Sequence, residues 1–146
     1  MPTLTYQISA LGPLLDVEIG VSGPRRDALH KAGLAIPSNV AVRALIDTGA
    51  SCTGIDKAII AALQLVSKGP IPVHTPTTGQ APKSCEQYDI HLRLIHPKLS
   101  FTFAALPVIE TDDLSVQGIQ GLIGRDVLRS CIFIFNGENG TYSLAF

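Results

Sequence analysis

The sequence predicts an all-β domain with one or two short helices, and three observations carry that prediction. Short apolar runs alternate with Gly- and Pro-containing turn signals along all 146 residues. The segment Gln87-Tyr88-Asp89-Ile90-His91-Leu92-Arg93-Leu94 alternates polar and apolar residues, the two-residue period of a strand with one wet face. Only limited stretches carry helix-start signals. Hydrophobic residues make up 46% of the chain, enough for one packed core, and no linker or low-complexity tract divides it, so residues 1–146 read as a single domain.

Residues 14–21 alternate over their second half and predict a strand. Residues 22–39 are polar and contain Gly and Pro, which predicts a long surface loop with one helical turn at 26–32. The apolar run 40–46 predicts a strand that ends at Asp47, and residues 52–55 return from the turn. Asp56 has the character of an N-cap, so the Ala-, Ile- and Leu-rich residues 57–65 predict a helix. Residues 70–75 and 84–95 flank Thr77-Thr78-Gly79-Gln80-Ala81 and predict a hairpin. Residues 96–98 form a turn, 100–109 a strand and 110–117 an acidic, polar loop. Residues 121–128 begin as an apolar strand end and pass through Gly124 into a short helix. The strands 131–135 and 141–146 are joined by Asn136-Gly137-Glu138-Asn139-Gly140.

Composition narrows the function classes. The formal net charge is −1 and Arg25-Arg26 is the only basic doublet, which argues against a nucleic-acid-binding surface. No apolar stretch is long enough to cross a bilayer, and residues 1–6 lack the charged start and apolar segment of a signal peptide. A cytoplasmic location is expected, without a membrane partner. Cys52, Cys85 and Cys131 lack metal-ligand spacing and read as free thiols. His30, His74, His91 and His96 are scattered, so no metal is expected. No phosphate-cradling Gly loop is present and no cofactor is expected.

The chemistry lies in Asp47-Thr48-Gly49. A carboxylate at the end of an apolar strand needs a partner, because burying an unpaired charge costs roughly several kcal/mol. Two carboxylates around one water can hydrolyse a peptide bond: one is ionised and acts as general base, the other is protonated and polarises the scissile carbonyl. Like charges roughly 3 Å apart share one proton and titrate as a unit. The chain contains one Asp-Thr-Gly. A C2 homodimer supplies the second acid, because an isologous interface places residue 47 opposite residue 47. The Thr48 hydroxyl would lock the two turns across the axis. Gly49 would let the chain turn tightly beside an extended substrate, and the hairpin tip around Gly79 would close over it.

The order Leu45-Ile46-Asp47-Thr48-Gly49-Ala50-Ser51, then a Gly-tipped hairpin, then Leu122-Ile123-Gly124-Arg125-Asp126, resembles the retropepsin family of aspartic proteases, and its stand-alone, non-viral members above all. The resemblance implies a closed β-barrel-type domain with a flap hairpin and an aspartic endopeptidase acting on peptide or protein substrates. Asp47 would be catalytic, one per subunit, with Thr48, Gly49 and Ala50 forming the supporting turn. Thr48 would make inter-subunit hydrogen bonds, and Gly49 would offer its carbonyl to substrate. Thr77, Thr78, Gly79 and Gln80 would form the flap, and Leu122 would line a side-chain pocket. Gly124, Arg125 and Asp126 would be structural, and strand 141–146 would interleave with its mate at the dimer interface, the alternative being an ordinary last strand of the chain's own sheet. Viral members often carry an acid where this chain has Ser51, and that acid pairs with the Arg of the Gly-Arg motif. Arg125 must therefore use Asp126, Asp56 or backbone carbonyls. The flap has one Gly, which implies a stiffer or differently shaped tip. The alternative reading is a catalytically weak or inactive dimerisation or peptide-binding module of the same fold.

Overall fold

Apolar alternation builds most of the strands, and their closure into a barrel buries the apolar side of each. A computed structural model describes residues 1–75 and 78–146. Strands β1 (Thr3–Gln7), β2 (Leu14–Val21) and β3 (Val40–Ile46) are followed by β4 (Gly54–Asp56), β5 (Pro70–Val73) and β6 (Lys83–Leu94). Then come β7 (Phe101–Thr111), β8 (Gly121–Ile123), β9 (Ile132–Asn136) and β10 (Thr141–Ala145). The larger sheet has the order β2-β3-β8-β4-β7-β6-β5, and β2 also pairs with β6. That last pairing, from Val17↔Leu94 to Val21↔Ile90, closes six strands into a barrel and leaves β5 hanging from β6. Inside it Val17, Ile19, Ile55, Ile90, Leu92 and Ile123 are fully buried. Each such side chain contributes about 1.5–3 kcal/mol relative to exposure. The expected all-β barrel class is the one observed.

Two parallel contacts position the site. β3 pairs in parallel with β8 (Leu45↔Leu122, Ile46↔Ile123), and β4 pairs in parallel with β7 (Gly54↔Ile109). Parallel neighbours need crossover connections, so the segments after β3 and after β8 are brought together from distant parts of the sequence.

The described residues contain three short α-helices, where the sequence predicted one or two. α1 (Gly23–Lys31) replaces half of the expected loop and is longer than the single predicted turn. Gly23 and Pro24 read as breakers, yet they occupy the first helical positions, where Pro costs nothing and Ser22 caps the Arg25 amide. α2 (Lys57–Ala62) is capped by Asp56 as expected but stops before residue 65. Gln64 adopts a left-handed φ of 50°, which ends the helix. α3 (Arg125–Leu128) follows Gly124. No helix among the described residues is long and apolar enough to cross a membrane.

The small sheet corrects the leading expectation for the last strand and takes the alternative. Strand 141–146 was to interleave with a second copy, but β10 lies between β1 and β9 of its own chain. Both of its edges are already hydrogen-bonded. β1 went unrecognised in the sequence, since only its pairing to β10 gives Leu4 something to be buried against.

Candidate active site

β3 carries the chain to Asp47, and two backbone bonds hold it there. The Ile46 amide donates to the Pro13 carbonyl at 2.9 Å and the Asp47 amide to the Ile123 carbonyl at 2.9 Å. The Asp47 Oδ1 accepts from the Gly49 amide at 2.9 Å, and the Ala50 amide donates to the Asp47 carbonyl at 3.2 Å. A Cβ at residue 49 would sit 3.1 Å from Asp47 Oδ1, so a glycine leaves room for this close approach. Asp47 is half-buried rather than enclosed. Its Oδ2 has no hydrogen-bond partner among the described residues of the single chain. The exposed Thr48 hydroxyl likewise has no partner among them.

The partner of Arg125 is the backbone. Its Nη1 donates to the carbonyls of Thr48 (3.0 Å) and Gly49 (3.1 Å), and its amide donates to the Ala50 carbonyl at 2.9 Å. With Ser51 in place of an acid, two consecutive carbonyls, of Thr48 and Gly49, take the place of a carboxylate on the guanidinium. The Gly49 carbonyl, expected to face substrate, already accepts this bond.

Asp126 and Asp56 do other work. Asp126 Oδ2 accepts from the Thr53 amide at 2.9 Å, and its Oδ1 accepts from the Thr53 hydroxyl at 2.8 Å and the Val127 amide at 2.9 Å. The Thr53 hydroxyl in turn accepts from the Gly124 amide at 3.1 Å. Thr53 is fully buried, and sequence reasoning passed over it. The one available signal was a hydroxyl inside the segment 52–55 that returns from the Asp47 turn. Gly124 is required sterically, because a Cβ there would lie 2.5 Å from the carbonyl carbon of Cys52. Asp56 accepts from the amides of Ala58 (2.9 Å) and Ser115 (3.0 Å). The Ala58 amide is the main cause that holds its carboxyl below the usual range, against the opposing effect of burial.

The hairpin that the resemblance makes the flap is formed by β5 and β6, in register from Pro70↔Glu86 to Val73↔Lys83. Thr78, Gly79 and Gln80 lie in its connection; Thr77 lies outside the described residues. The Thr75 amide donates to the Thr78 hydroxyl at 3.0 Å, the Thr78 amide donates back to the Thr75 carbonyl at 3.1 Å, and Gly79 takes φ +60°. Gln87 of β6 and Gly54 of β4 both stand opposite Ile109 of β7. One strand thus separates the β6 arm of the hairpin from the strand after the Asp47 turn, roughly 10 Å at ordinary sheet spacing. Asp112 joins the two regions at the surface, accepting from Lys57 and Lys83 at 3.1 Å each. Leu122 is half-buried and opposite Leu45, on the other side of the sheet from the buried Ile46 and Ile123. Cys52 is half-buried; burial is the main cause that raises its thiol pKa, so it stays neutral.

Comparison with known proteins agrees with this arrangement. A family model described as aspartyl protease matches residues 34–127, from before β3 to within α3. The chain belongs to the aspartyl protease family. Among solved structures, a retropepsin-like aspartic protease from Rickettsia conorii is similar at a TM-score of 0.59 and 14% identity, covering 99% of this chain and 90% of that one. That likeness shows a retropepsin-like fold. EIAV protease complexed with the inhibitor HBY-793 matches at 0.45 and 13% identity (81% and 86% covered). The retroviral protease-like domain of Ddi1 from Leishmania major matches at 0.41 and 15% (86% and 82% covered). No curated protein matches.

Proposed function

We propose that this chain is a single-domain aspartic endopeptidase, residues 1–146, that works in the cytoplasm as a homodimer with one Asp47 from each copy around a single water. The observation that carries the reading is the state of Asp47: one carboxylate oxygen is fixed by the Gly49 amide and the other is unpartnered on a half-exposed turn. A second copy of the same turn gives that oxygen a neighbour. The ionised member of the pair takes a proton from the water as its oxygen attacks the scissile carbonyl carbon. The protonated member gives its proton to the carbonyl oxygen. Collapse of the tetrahedral species breaks the C–N bond, and a carboxyl proton passes to the leaving amine.

Thr48, Gly49 and Ala50 support the turn, and Arg125 holds it through their carbonyls. Thr77, Thr78, Gly79 and Gln80 of the flap pair with an extended peptide as an added strand. Leu122, beside Leu45, offers an apolar wall for a substrate side chain. No cofactor enters the mechanism.

Asp47→Asn tests the reading, because it keeps the Gly49 bond and removes the base. Peptide-library digestion should fall to background while the folded state persists, and pepstatin should inhibit the unmodified protein. An Asp47→Asn chain that cleaves as fast as the parent would end this assignment.

A further inference from the structure

The outer edge of β1 carries backbone groups that no described strand uses. The Phe146 amide donates to the Pro2 carbonyl and the Ile8 amide to the Gly140 carbonyl. Along an antiparallel ladder only alternate residues bond to a given neighbour, so Leu4 and Tyr6 likewise spend their backbone groups on β10. Thr3, Thr5 and Gln7 turn theirs the other way, where no described strand pairs, and all three are exposed. We propose that this edge binds the C-terminal end of an extended peptide as an added antiparallel strand, with an apolar last side chain and its carboxylate in the cavity beside Thr3.

A cavity opens at each end of β1. The one at its start is about 520 Å³, an ordinary size for a ligand pocket, and is lined by Met1, Pro2, Thr3, His96, Lys98 and Leu99. Met1, Pro2 and Leu99 make its apolar part, and Met1 and Leu99 are 73% and 66% exposed. Its polar part donates. His96 Nδ1 accepts from the amides of Lys98 (3.1 Å) and Leu99 (3.4 Å), which puts the proton of the neutral ring on Nε2. Lys98 is exposed and has no ion pair among the described residues. No acid lines this cavity. The loop that carries both donors is held in place: the His96 amide donates to the Ser100 hydroxyl at 3.1 Å, and the His96 ring meets the Phe146 ring edge-on with centroids 6.3 Å apart.

These features select the occupant. A bare strand edge offers alternating amides and carbonyls, which an extended peptide matches residue by residue. Two donors and no carboxylate, beside an apolar wall, suit a carboxylate next to an apolar side chain. The last residue of a peptide has that chemistry. Charge also fixes the direction. A strand added antiparallel to β1 ends beside Thr3 and brings its carboxylate to Lys98. A parallel strand would begin there and set its own ammonium against the Lys98 ammonium.

The length of the edge fits a short segment. From Thr3 to Gln7 it runs roughly 14 Å, room for about five residues of an added strand. At its far end a second cavity, about 300 Å³, is lined by Tyr6 and Gln7 together with the paired Asp16 and Arg43, and it receives an earlier, polar side chain of the same peptide. β1 belongs to the small sheet, whereas Asp47 follows β3 of the large one. The β1 site therefore stands apart from the paired-Asp47 reading and does not rest on it.

Fluorescence polarisation tests this on the chain carrying Asp47→Asn, so that the probe stays uncut. The probe is a fluorescein-labelled octapeptide of alternating Ser and Val that ends in Leu with a free carboxylate. It should bind saturably, and the same peptide ending in an amide should bind about tenfold more weakly or worse. Lys98→Glu should bring the free-acid probe down to the level of the amide probe and leave the amide probe unchanged. Thr5→Pro removes an outward amide without breaking a bond to β10, so both probes should lose binding while the circular dichroism spectrum stays the same. Lys98→Glu and Leu99→Asp lie on exposed side chains and decide the matter should Thr5→Pro unfold the chain. Equal binding of acid and amide probes overturns the carboxylate site. Binding untouched by Lys98→Glu, Leu99→Asp and Thr5→Pro puts the peptide elsewhere on the molecule and overturns the β1 edge. An absence of binding overturns the proposal, as does sodium octanoate binding at Lys98 where the peptide does not. A Thr5→Pro effect on sedimentation alone assigns the edge to a second copy and overturns the peptide.

Discussion

Thr53→Val removes one hydroxyl and keeps the shape of the side chain, so its effect reads the value of the link beneath the Asp47 turn. Two bonds are lost. The Gly124 amide, within a buried contact, loses its acceptor at 3.1 Å, and an unsatisfied buried donor costs about 1–3 kcal/mol. Asp126 Oδ1 loses its 2.8 Å donor, a bond to a charged acceptor worth about 1.5 kcal/mol, while the amides of Thr53 and Val127 remain on that carboxylate. The extra methyl offsets a little of this by burial. The expected net loss is about 3 kcal/mol, which for a domain of this size lowers Tm by roughly 6–12 °C. Urea unfolding followed by circular dichroism gives the free energy, and a differential scan gives Tm. Because Asp126 and Thr53 tie β8 to the returning arm of the turn, kcat/KM should also fall at temperatures where the variant is fully folded. A stability loss below about 1 kcal/mol, with unchanged cleavage, would mean that this network does not hold the turn.

Gly124→Ala has no room for its methyl against the Cys52 backbone, so it should unfold the chain or displace the turn and cost more than Thr53→Val in the same urea experiment. Arg125→Met deletes the bonds to the Thr48 and Gly49 carbonyls from an exposed side chain; stability should change by only about 1 kcal/mol while kcat/KM drops by more than that fraction of folded protein explains. The Asp56 carboxyl has a folded pKa below its unfolded value near 3.9, so its contribution is complete above about pH 4 and fades as pH falls further through the folded value. Asp56→Asn should flatten the acid limb of stability below about pH 4 and leave stability above pH 5 little altered in slope, as measured by urea midpoints against pH.

Much of the barrel was legible because strand period and turn chemistry are local. β2 and β6 follow from alternation and β3 from its apolar run, and Asp56 identified itself as a cap because an acid before an Ala- and Ile-rich run satisfies free helical amides. α1 was undersized because Gly23 and Pro24 terminate structure in most contexts but open a helix in this one. The sequence also marked Asp47 and the Gly124-Arg125-Asp126 turn, since a hydroxyl, a glycine and an acid crowded at strand ends serve few purposes.

The rest was decided by pairings that join residues far apart in the chain. Whether Arg125 finds an acid or a carbonyl depends on how the parallel β3–β8 contact sets two turns side by side, and no local pattern encodes that distance. Thr53 is unremarkable until burial leaves the Gly124 amide with nothing else to bond. Likewise the resemblance put β10 at a subunit interface, and only the closure of β1 and β9 around it assigns its hydrogen bonds within the chain. The sequence by itself determined which residues are chemically able to act and the short-range elements that carry them, because those depend on residue type and period. Tertiary structure decided which of their polar groups are already satisfied and which edge is left open, because a backbone donor or acceptor can be used only where another segment reaches it.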